Sequence, residues 1–172
     1  PADWQRGAVD GPLAVAPGVE GAHMLNGKLD RVESLAERDV AYLTLTHFSR
    51  NAAATPSMGR GANEEDGLTG FGQELVGALE EHDIRVDLAH VNTPGVLDAC
   101  AAARRPLLCT HTGVKGVHDS PRNITDDEID AIAGTDGLIG IIFAPSFLAG
   151  RLRADSTVVG ITFFIPTFAM AM

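Results

Sequence analysis

Residues 86–111 read VDLAHVNTPGVLDACAAARRPLLCTH, and the rest of the chain is organised around this stretch. Its first and last apolar runs, VDLAH and LLCTH, end on His90 and His111. The alanine-rich segment between them opens on Thr93-Pro94 and is stopped by Pro106, which are signals for the start and end of a helix. The stretch therefore predicts a strand, a helix and a second strand parallel to the first. Both histidines then lie at the carboxyl edge of a sheet, where ligands and catalytic groups collect in parallel α/β folds.

The remaining sequence repeats this alternation of strands and helices. Further strands are indicated by apolar or β-rich runs at residues 13–19, 41–46 and 138–143. Further helices are indicated by periodicity at residues 27–40 and 71–82 and by a capping box at residues 125–128. The prediction is an α/β chain folded as a partial (β/α)8 barrel of the TIM type, with about four β/α units plus a fifth strand. A closed barrel of this type takes about 250 residues, more than this chain has.

Composition limits the class of partner and the location. The 172 residues carry a formal net charge of −10 and contain no basic stripe, which argues against a nucleic-acid partner. Two cysteines are too few for a disulfide framework, and we interpret Cys109 as a small side chain that fills the barrel. The apolar segment 158–172 is broken by Pro166 and is shorter than the ~20 residues of a spanning helix, so we predict no membrane span. No signal peptide opens the chain, which favours a cytoplasmic location, and Pro1 indicates that preceding sequence is missing.

Four successive strands are predicted to end on residues with metal-binding side chains, namely Glu20, His47, His90 and His111. Because the strands are parallel, these side chains are expected at one edge of the sheet. Imidazole nitrogens and carboxylate oxygens are ligands that zinc takes in catalytic sites. A carboxylate can also bridge two metal ions about 3.5–4 Å apart. The pattern therefore predicts a metal site of the hydrolytic type.

Each candidate also has a structural alternative. Glu20 could cap the next helix, and His47 could be a hydrogen-bonded core residue. Judged from the residues alone, Arg122 is expected to pair with Asp119 or Asp126 at the start of a helix. The remaining histidines are assigned structural or solvated roles; they are His23, His82 and His118.

Six ordered segments of the chain carry a resemblance to a known family. They are GVEGAH (18–23), YLTLTH (42–47), GLTGFGQELV (67–76), VDLAHV (86–91), THTGVKGVHDSPRNITDDEI (110–129) and GLIGIIFAPSFL (137–148). In these segments the chain resembles the membrane (renal) dipeptidase family of zinc metallopeptidases, and its bacterial members in particular. The resemblance extends from residue 18 to about residue 157. It implies a (β/α)8 barrel with a two-zinc centre, in which a metal-bridged hydroxide hydrolyses dipeptides.

The resemblance also implies a role for each candidate residue. Glu20 resembles the carboxylate that bridges the two zinc ions. His90 and His111 resemble the imidazole ligands of the second zinc. His47 resembles the catalytic histidine that contacts the substrate and polarises the scissile carbonyl. Arg122 resembles the arginine that holds the carboxylate of the substrate, a role that suits a bidentate guanidinium.

The sequence departs from the family pattern near both ends. The His-x-Asp strand that supplies two ligands of the first zinc is not found before Gly18, and the late aspartate near the metal-bound water is not found after Thr157. We therefore expect residues 1–157 to be the central part of a dipeptidase barrel, truncated at both ends. Residues 158–172 are expected to be an apolar tail that does not match the family. At most one complete zinc site is then expected in this chain.

The sequence supports two functions that belong to different classes of protein. In the first, the parent protein is a zinc-dependent dipeptidase, and this chain alone is inactive. In the second, the chain is a non-catalytic half-barrel that binds at most one zinc ion or acts as an interaction fragment. In both cases the open edges of a partial barrel predict self-association or a homo-oligomer.

Overall fold

Five short strands form one parallel sheet in the computed structural model, which describes residues 16–148. The strands are β1 (Gly18–Glu20), β2 (Tyr42–Thr44), β3 (Arg85–Asp87), β4 (Leu108–Thr112) and β5 (Leu138–Ile141). They lie in the order β1-β2-β3-β4-β5, and each neighbouring pair is parallel. Sequential parallel strands with helical connections are the arrangement of a barrel segment, which confirms the predicted α/β fold class.

Helices occupy the connections between the strands. They are a short 3-10 helix (Ala22–Leu25), α1 (Arg31–Ala36), α2 (Gly70–Glu81), α3 (Thr93–Ala102), α4 (Asp126–Gly134) and α5 (Pro145–Leu148). α4 begins with the predicted capping box. The hydroxyl of Thr125 accepts from the N–H of Glu128, and the Glu128 carboxylate accepts from the N–H of Thr125. The sequence signals therefore place this helix correctly.

The predicted cap of α3 is wrong by one residue. Asn92, and not Thr93, is the N-cap, because its side-chain oxygen accepts from the N–H of Gly95 at 3.1 Å. The Nδ2 of Asn92 also donates to the carbonyl oxygens of Asn63 and Asp66, at 2.8 Å each. These long-range hydrogen bonds favour asparagine at the cap position and tie α3 to the segment that precedes α2.

Two of the predicted strand ends are wrong by three residues. β2 ends at Thr44 and β3 ends at Asp87, so His47 and His90 lie in the turns that follow these strands. His90 has a φ of 69°, in the left-handed region that non-glycine residues rarely adopt. Because a strand cannot continue through a positive φ, this turn rather than the apolar pattern decides where β3 can end.

The core between the sheet and the helices is apolar. Its largest fully buried side chains include Leu43, Leu45, Leu75, Leu79, Val86, Leu88, Leu107 and Ile132. Full burial of one such side chain contributes about 1.5–3 kcal/mol to stability. Cys109 of β4 belongs to the same buried cluster, and burial raises the pKa of its thiol. This residue fills the interior as predicted.

The long segment between β2 and α2 is fixed to the start of α2. Thr69 caps α2 by accepting from the N–H of Gly72 at 3.0 Å, and its hydroxyl donates to the carbonyl of Ala52. A Cβ atom on Gly72 would lie 2.1 Å from the carbonyl oxygen of Ala53. The segment therefore approaches α2 this closely only because a glycine is present.

A cluster of charged residues joins the segments that enter β3 and β4. The Glu80 carboxylate accepts from the backbone N–H groups of Arg104 and Arg105, at 2.8 and 3.0 Å, and from Arg104 Nε at 3.2 Å. The Arg105 guanidinium also pairs with Asp83. Since these residues precede the two strands, the cluster lies at the amino edge of the sheet, opposite the edge that carries the candidate ligands.

No helix within residues 16–148 has the length and apolar character that spanning a membrane requires. The predicted boundary at residue 157 and the apolar segment 158–172 lie outside the described residues.

Candidate metal centre

The carboxyl ends of β1, β3 and β4 bring three metal-binding side chains together. Glu20 is the last residue of β1, His90 lies three residues beyond β3, and His111 is the last residue but one of β4. One potential ligand atom from each of them lies within 4.8 Å of the other two. Three of the residues selected from the sequence therefore share one location.

The distances between these atoms suit ligands of a single ion. His90 Nε2 lies 2.9 Å from Glu20 Oε1, His111 Nε2 lies 3.3 Å from the same oxygen, and the two Nε2 atoms are 2.9 Å apart. Two ligand atoms about 2.0–2.1 Å from a tetrahedral zinc ion are about 3.3 Å apart. The arrangement therefore fits three protein ligands of one metal ion.

Burial keeps the two imidazoles neutral. Burial, reinforced by the nearby Arg122 guanidinium, lowers the pKa of His90 to about 2. Burial also lowers the pKa of His111. Their close approaches to Glu20 are consequently contacts of neutral rings, and not ion pairs of a histidinium. A neutral imidazole with a free lone pair is the form that coordinates a metal ion.

Glu20 is not a helix cap. The N-cap position of the following 3-10 helix is Gly21, and no side chain caps that helix. The helix after it, α1, also begins without a side-chain cap. The Glu20 side chain is 45% exposed, and its Oε1 points to the two imidazoles. The structural alternative for this carboxylate is therefore wrong.

His47 faces the same three residues from the turn after β2. Its Nε2 lies 3.7 Å from Glu20 Oε1, and its ring centroid lies 4.5 Å from that of His90 in an edge-on arrangement. The His47 side chain is 40% exposed, so the alternative of a buried core histidine is wrong. A ring that is exposed and close to the candidate ligands can contact a molecule bound at this edge.

Arg122 reaches the site from the loop before α4. Arg122 is only 3% exposed, and its Nη2 donates to the carbonyl of His111 at 3.3 Å. The hydroxyl of Thr112 donates to the Arg122 carbonyl at 3.0 Å, and the guanidinium lies 5.4 Å from the ring centroid of Phe147. Within residues 16–148, Arg122 Nε has no hydrogen-bond partner.

The alternative pairing of Arg122 with an acidic neighbour is wrong. Asp119 lies 3.9 Å from Lys115 Nζ, and no ion pair joins Arg122 to Asp119 or Asp126 in the described part of the chain. Burial lowers the pKa of Arg122, because a desolvated cation is unfavourable. A buried guanidinium beside a cluster of candidate ligands is well suited to bind an anionic group.

Sequence reasoning missed two residues next to the ligands, Asp87 and Thr110. Asp87 is fully buried, and its carboxylate accepts the hydroxyl hydrogen of Thr110, the residue before His111. The signal was present in the sequence, because Asp87 is the one charged residue in the otherwise apolar run Val86-Asp87-Leu88-Ala89. A buried carboxylate needs several donors, so such a position indicates a hydrogen-bond network.

The fold and this site define the class of protein. A parallel α/β sheet of the barrel type that gathers a glutamate and two histidines at the carboxyl ends of its strands has the construction of a metal-dependent barrel protein. The sequence profile of the membrane dipeptidase family, peptidase family M19, matches residues 1–163. The chain belongs to this family.

Two relatives in sequence are uncharacterized dipeptidases of Schizosaccharomyces pombe. One is 30% identical over 132 residues, which are 77% of this chain and 32% of that protein. The other is 28% identical over 140 residues, which are 81% of this chain and 34% of that protein. The chain therefore spans about a third of the length of the curated relatives that it matches.

Solved structures share the fold. The probable dipeptidase PvdM from Pseudomonas aeruginosa superposes with a TM-score of 0.79, over 86% of this chain and 38% of that one, at 23% identity. A metallo peptidase from Rhodobacter sphaeroides is 27% identical, with a TM-score of 0.69 over 77% of this chain and 39% of that one. It was solved with a phosphinate mimic of the dipeptide L-Ala-D-Ala.

Proposed function

We propose that this chain is part of a zinc dipeptidase in which Glu20, His90 and His111 hold a zinc ion. The observation that carries the proposal is the convergence of their ligand atoms within 4.8 Å, in a chain that belongs to family M19. One carboxylate, two neutral imidazoles and an open fourth position are a ligand set of the catalytic zinc type. In a two-zinc centre, Glu20 would be the carboxylate that holds both ions.

The chemistry of the site divides between the metal and the side chains around it. When bound, the metal lowers the pKa of a water molecule and polarises a carbonyl oxygen. His47 donates a hydrogen bond to the carbonyl oxygen of the peptide bond, whose negative charge grows as the bond is attacked. The distance of His47 Nε2 from Glu20 Oε1, 3.7 Å, and its exposure support a role toward substrate rather than toward the metal.

Arg122 is proposed to bind the free carboxylate of the dipeptide. Its guanidinium is buried, donates to the backbone of His111, and pairs with no carboxylate in the described residues. A substrate carboxylate supplies the missing charge and accepts hydrogen bonds in the bidentate geometry that guanidinium favours. The dipeptide mimic bound by the Rhodobacter sphaeroides relative supports this substrate class.

A second candidate function is a non-catalytic fragment that binds one zinc ion. It is favoured by the single cluster of three ligands among residues 16–148. In this case the chain alone does not hydrolyse dipeptides, and its open sheet edges lead to self-association. A cytoplasmic location remains a prediction under both functions.

A dipeptide hydrolysis assay of the 172-residue chain with added zinc tests the fragment function. The fragment function predicts bound zinc without turnover. Zinc-dependent turnover by the chain would refute that function and support the enzyme. Size-exclusion chromatography of the same sample reports the self-association.

The roles of His47 and Arg122 are tested by kinetics in a complete relative that carries both residues. We expect the change corresponding to His47→Ala to lower kcat about 10²–10³-fold, because the hydrogen bond strengthens in the transition state. The change corresponding to Arg122→Ala is expected to raise KM about 10- to 100-fold through loss of a charge-assisted hydrogen bond. His23→Ala is the control, since within residues 16–148 the His23 side chain forms hydrogen bonds only with Ser49 and Asn51. Loss of bound zinc from the His47 or Arg122 variant would contradict these roles.

A further inference from the structure

Asp87 is a buried carboxylate surrounded by hydrogen-bond donors. It is fully buried in β3. Its Oδ1 accepts from the N–H groups of Ala89 and Thr110, at 3.2 and 2.8 Å. Its Oδ2 accepts from the hydroxyls of Thr44 and Thr110, at 2.5 and 2.9 Å. These four groups, from three residues, all donate, so the Asp87 carboxylate acts as an acceptor only.

The Thr110 hydroxyl connects this carboxylate to a candidate metal ligand. A hydroxyl has one hydrogen, and that of Thr110 is directed to Asp87. The same oxygen lies 3.0 Å from His111 Nδ1, where it can consequently only accept. The hydrogen in this contact must then be on Nδ1. A neutral imidazole with hydrogen on Nδ1 has a bare lone pair on Nε2, the atom that faces Glu20 and His90.

We propose that Asp87 is a positioning residue that acts through Thr110 to fix His111 in its Nδ1–H tautomer, with Nε2 ready to coordinate a metal ion. The inference rests on the metal site of the proposed function and goes beyond it, because it assigns a tautomer and names the residues that set it. Asp87 itself does not touch the substrate or the metal. It holds the orientation of the Thr110 hydroxyl, and that orientation selects the ring nitrogen that bears hydrogen.

The second imidazole lacks such a partner, and the contrast strengthens the assignment. Within residues 16–148, the buried Nδ1 of His90 has no hydrogen-bond partner. Its Nε2 lies 2.9 Å from both His111 Nε2 and Glu20 Oε1. The hydrogen bonds around His90 therefore do not select the ring nitrogen that bears hydrogen, whereas the Thr110 hydroxyl selects it in His111.

The tautomers can be measured in the metal-free 172-residue chain. Long-range ¹H–¹⁵N correlation spectra distinguish the protonated from the unprotonated ring nitrogen, and the His111 signals are assigned by their loss in His111→Gln. We expect His111 to be protonated at Nδ1. Protonation of His111 at Nε2 in the unsubstituted chain overturns the proposal, whatever the variants do.

Substitutions then test whether Asp87 and Thr110 set this tautomer. Thr110→Val removes the hydroxyl at nearly constant volume, so His111 should become a mixture of tautomers. Thr110→Ser retains the hydroxyl and should restore Nδ1–H. Asp87→Asn should reverse the preference, because its amide no longer draws the Thr110 hydrogen and the hydroxyl can donate to Nδ1. An unchanged Nδ1–H tautomer in folded Thr110→Val or Asp87→Asn would overturn the proposal.

Zinc affinity provides a second readout with a matched control. Thr110→Val should weaken zinc binding about 10- to 100-fold, as loss of partners behind metal-bound imidazoles commonly does. Thr110→Ser should bind as the unsubstituted chain does. Thr44→Val removes another hydroxyl that donates to the same Asp87 oxygen without touching His111, so it should leave zinc affinity and tautomer unchanged.

The outcomes separate this inference from the proposed function. An Nδ1–H tautomer in a chain that binds no zinc would refute the metal site alone and would support the role of Asp87. Equal loss of zinc affinity in Thr44→Val and Thr110→Val would overturn the inference, because it would indicate general destabilisation. Zinc binding would then still support the proposed function.

Discussion

The two edges of the sheet each hold a glutamate among nitrogen groups, and the two environments are opposite in character. At the amino edge, Glu80 is 8% exposed, and its carboxylate accepts three hydrogen bonds from two arginines, two of them from backbone N–H groups. At the carboxyl edge, the Glu20 side chain is 45% exposed and faces neutral imidazoles. Its oxygen lies near three ring nitrogens, from His47, His90 and His111.

The difference indicates which edge is structural and which is functional. The Glu80 carboxylate already has three hydrogen-bond donors and a cationic partner, so it needs no further ion. The Glu20 cluster has acceptor atoms crowded together, with no lysine or arginine paired to the carboxylate in the described residues. A bound cation stabilises acceptor atoms that lie close together, whereas a buried carboxylate that is already hydrogen-bonded to arginine stabilises the fold. The predictions below test this division of roles.

The largest expected effect is the loss of zinc affinity on removal of an imidazole at the carboxyl edge. His90→Ala and His111→Ala each remove one of three protein ligands, so we expect zinc affinity to fall by more than the about 10- to 100-fold typical of changes behind a ligand. Isothermal titration calorimetry of the purified chain measures the change. Glu80→Gln at the other edge should leave zinc affinity unchanged.

His82→Ala is the matched histidine control, because His82 lies between the end of α2 and the start of β3, at the amino edge of the sheet. Equal zinc affinity in His82→Ala, His90→Ala and His111→Ala would show that the carboxyl edge is not the metal site. That result would contradict the functional role assigned to the carboxyl edge.

The second effect is the loss of stability on removal of the buried carboxylate at the amino edge. Glu80→Ala leaves the N–H groups of Arg104 and Arg105 without their acceptor, so we expect the free energy of unfolding to fall by about 2–3 kcal/mol. Urea unfolding followed by circular dichroism measures it. Glu81→Ala is the control. The Glu81 side chain is exposed, so its removal should change the free energy of unfolding by less than about 0.5 kcal/mol. Similar losses in the two variants would contradict the structural role of Glu80.

The smallest effect concerns the exposed ion pair beside Glu80. This pair joins Asp83 to Arg105. The hydrogen bond from Arg105 lowers the pKa of Asp83, yet the Asp83 side chain is 64% exposed. Asp83→Asn should therefore reduce the free energy of unfolding by less than about 1 kcal/mol, because water and salt screen such pairs. Urea unfolding at low and high salt tests this. A loss as large as that of Glu80→Ala would mean that the cluster is stabilised by surface charge and not by its buried carboxylate.

Some of the strand and helix boundaries at these two edges could be predicted from the sequence, and others could not. The strand–helix alternation and the capping box at Thr125 are local signals, and they predicted the parallel sheet and the start of α4 correctly. The end of β1 at Glu20 also followed from its pattern. The ends of β2 and β3 did not, because apolar residues continue into the turns that carry His47 and His90.

Long-range contacts account for what the sequence could not predict. Asn92 and Thr93 are both good N-caps, and the choice of Asn92 depends on its hydrogen bonds to the carbonyls of Asn63 and Asp66. The Asp87 network joins β2, β3 and β4 through side chains that are more than 20 residues apart. The resemblance to the dipeptidase family indicated which residues matter, and the fold then supplied the distances between them.

The central claim is that one ion binds among Glu20, His90 and His111. Zinc-edge X-ray absorption of the zinc-loaded chain tests it most directly, because it reports the atoms bound to the metal. The account predicts only nitrogen and oxygen ligands at about 2.0–2.2 Å, with the outer scattering of two imidazoles, and one imidazole fewer in His90→Ala. A sulfur ligand at about 2.3 Å, or a spectrum that His90→Ala leaves unchanged, would contradict it.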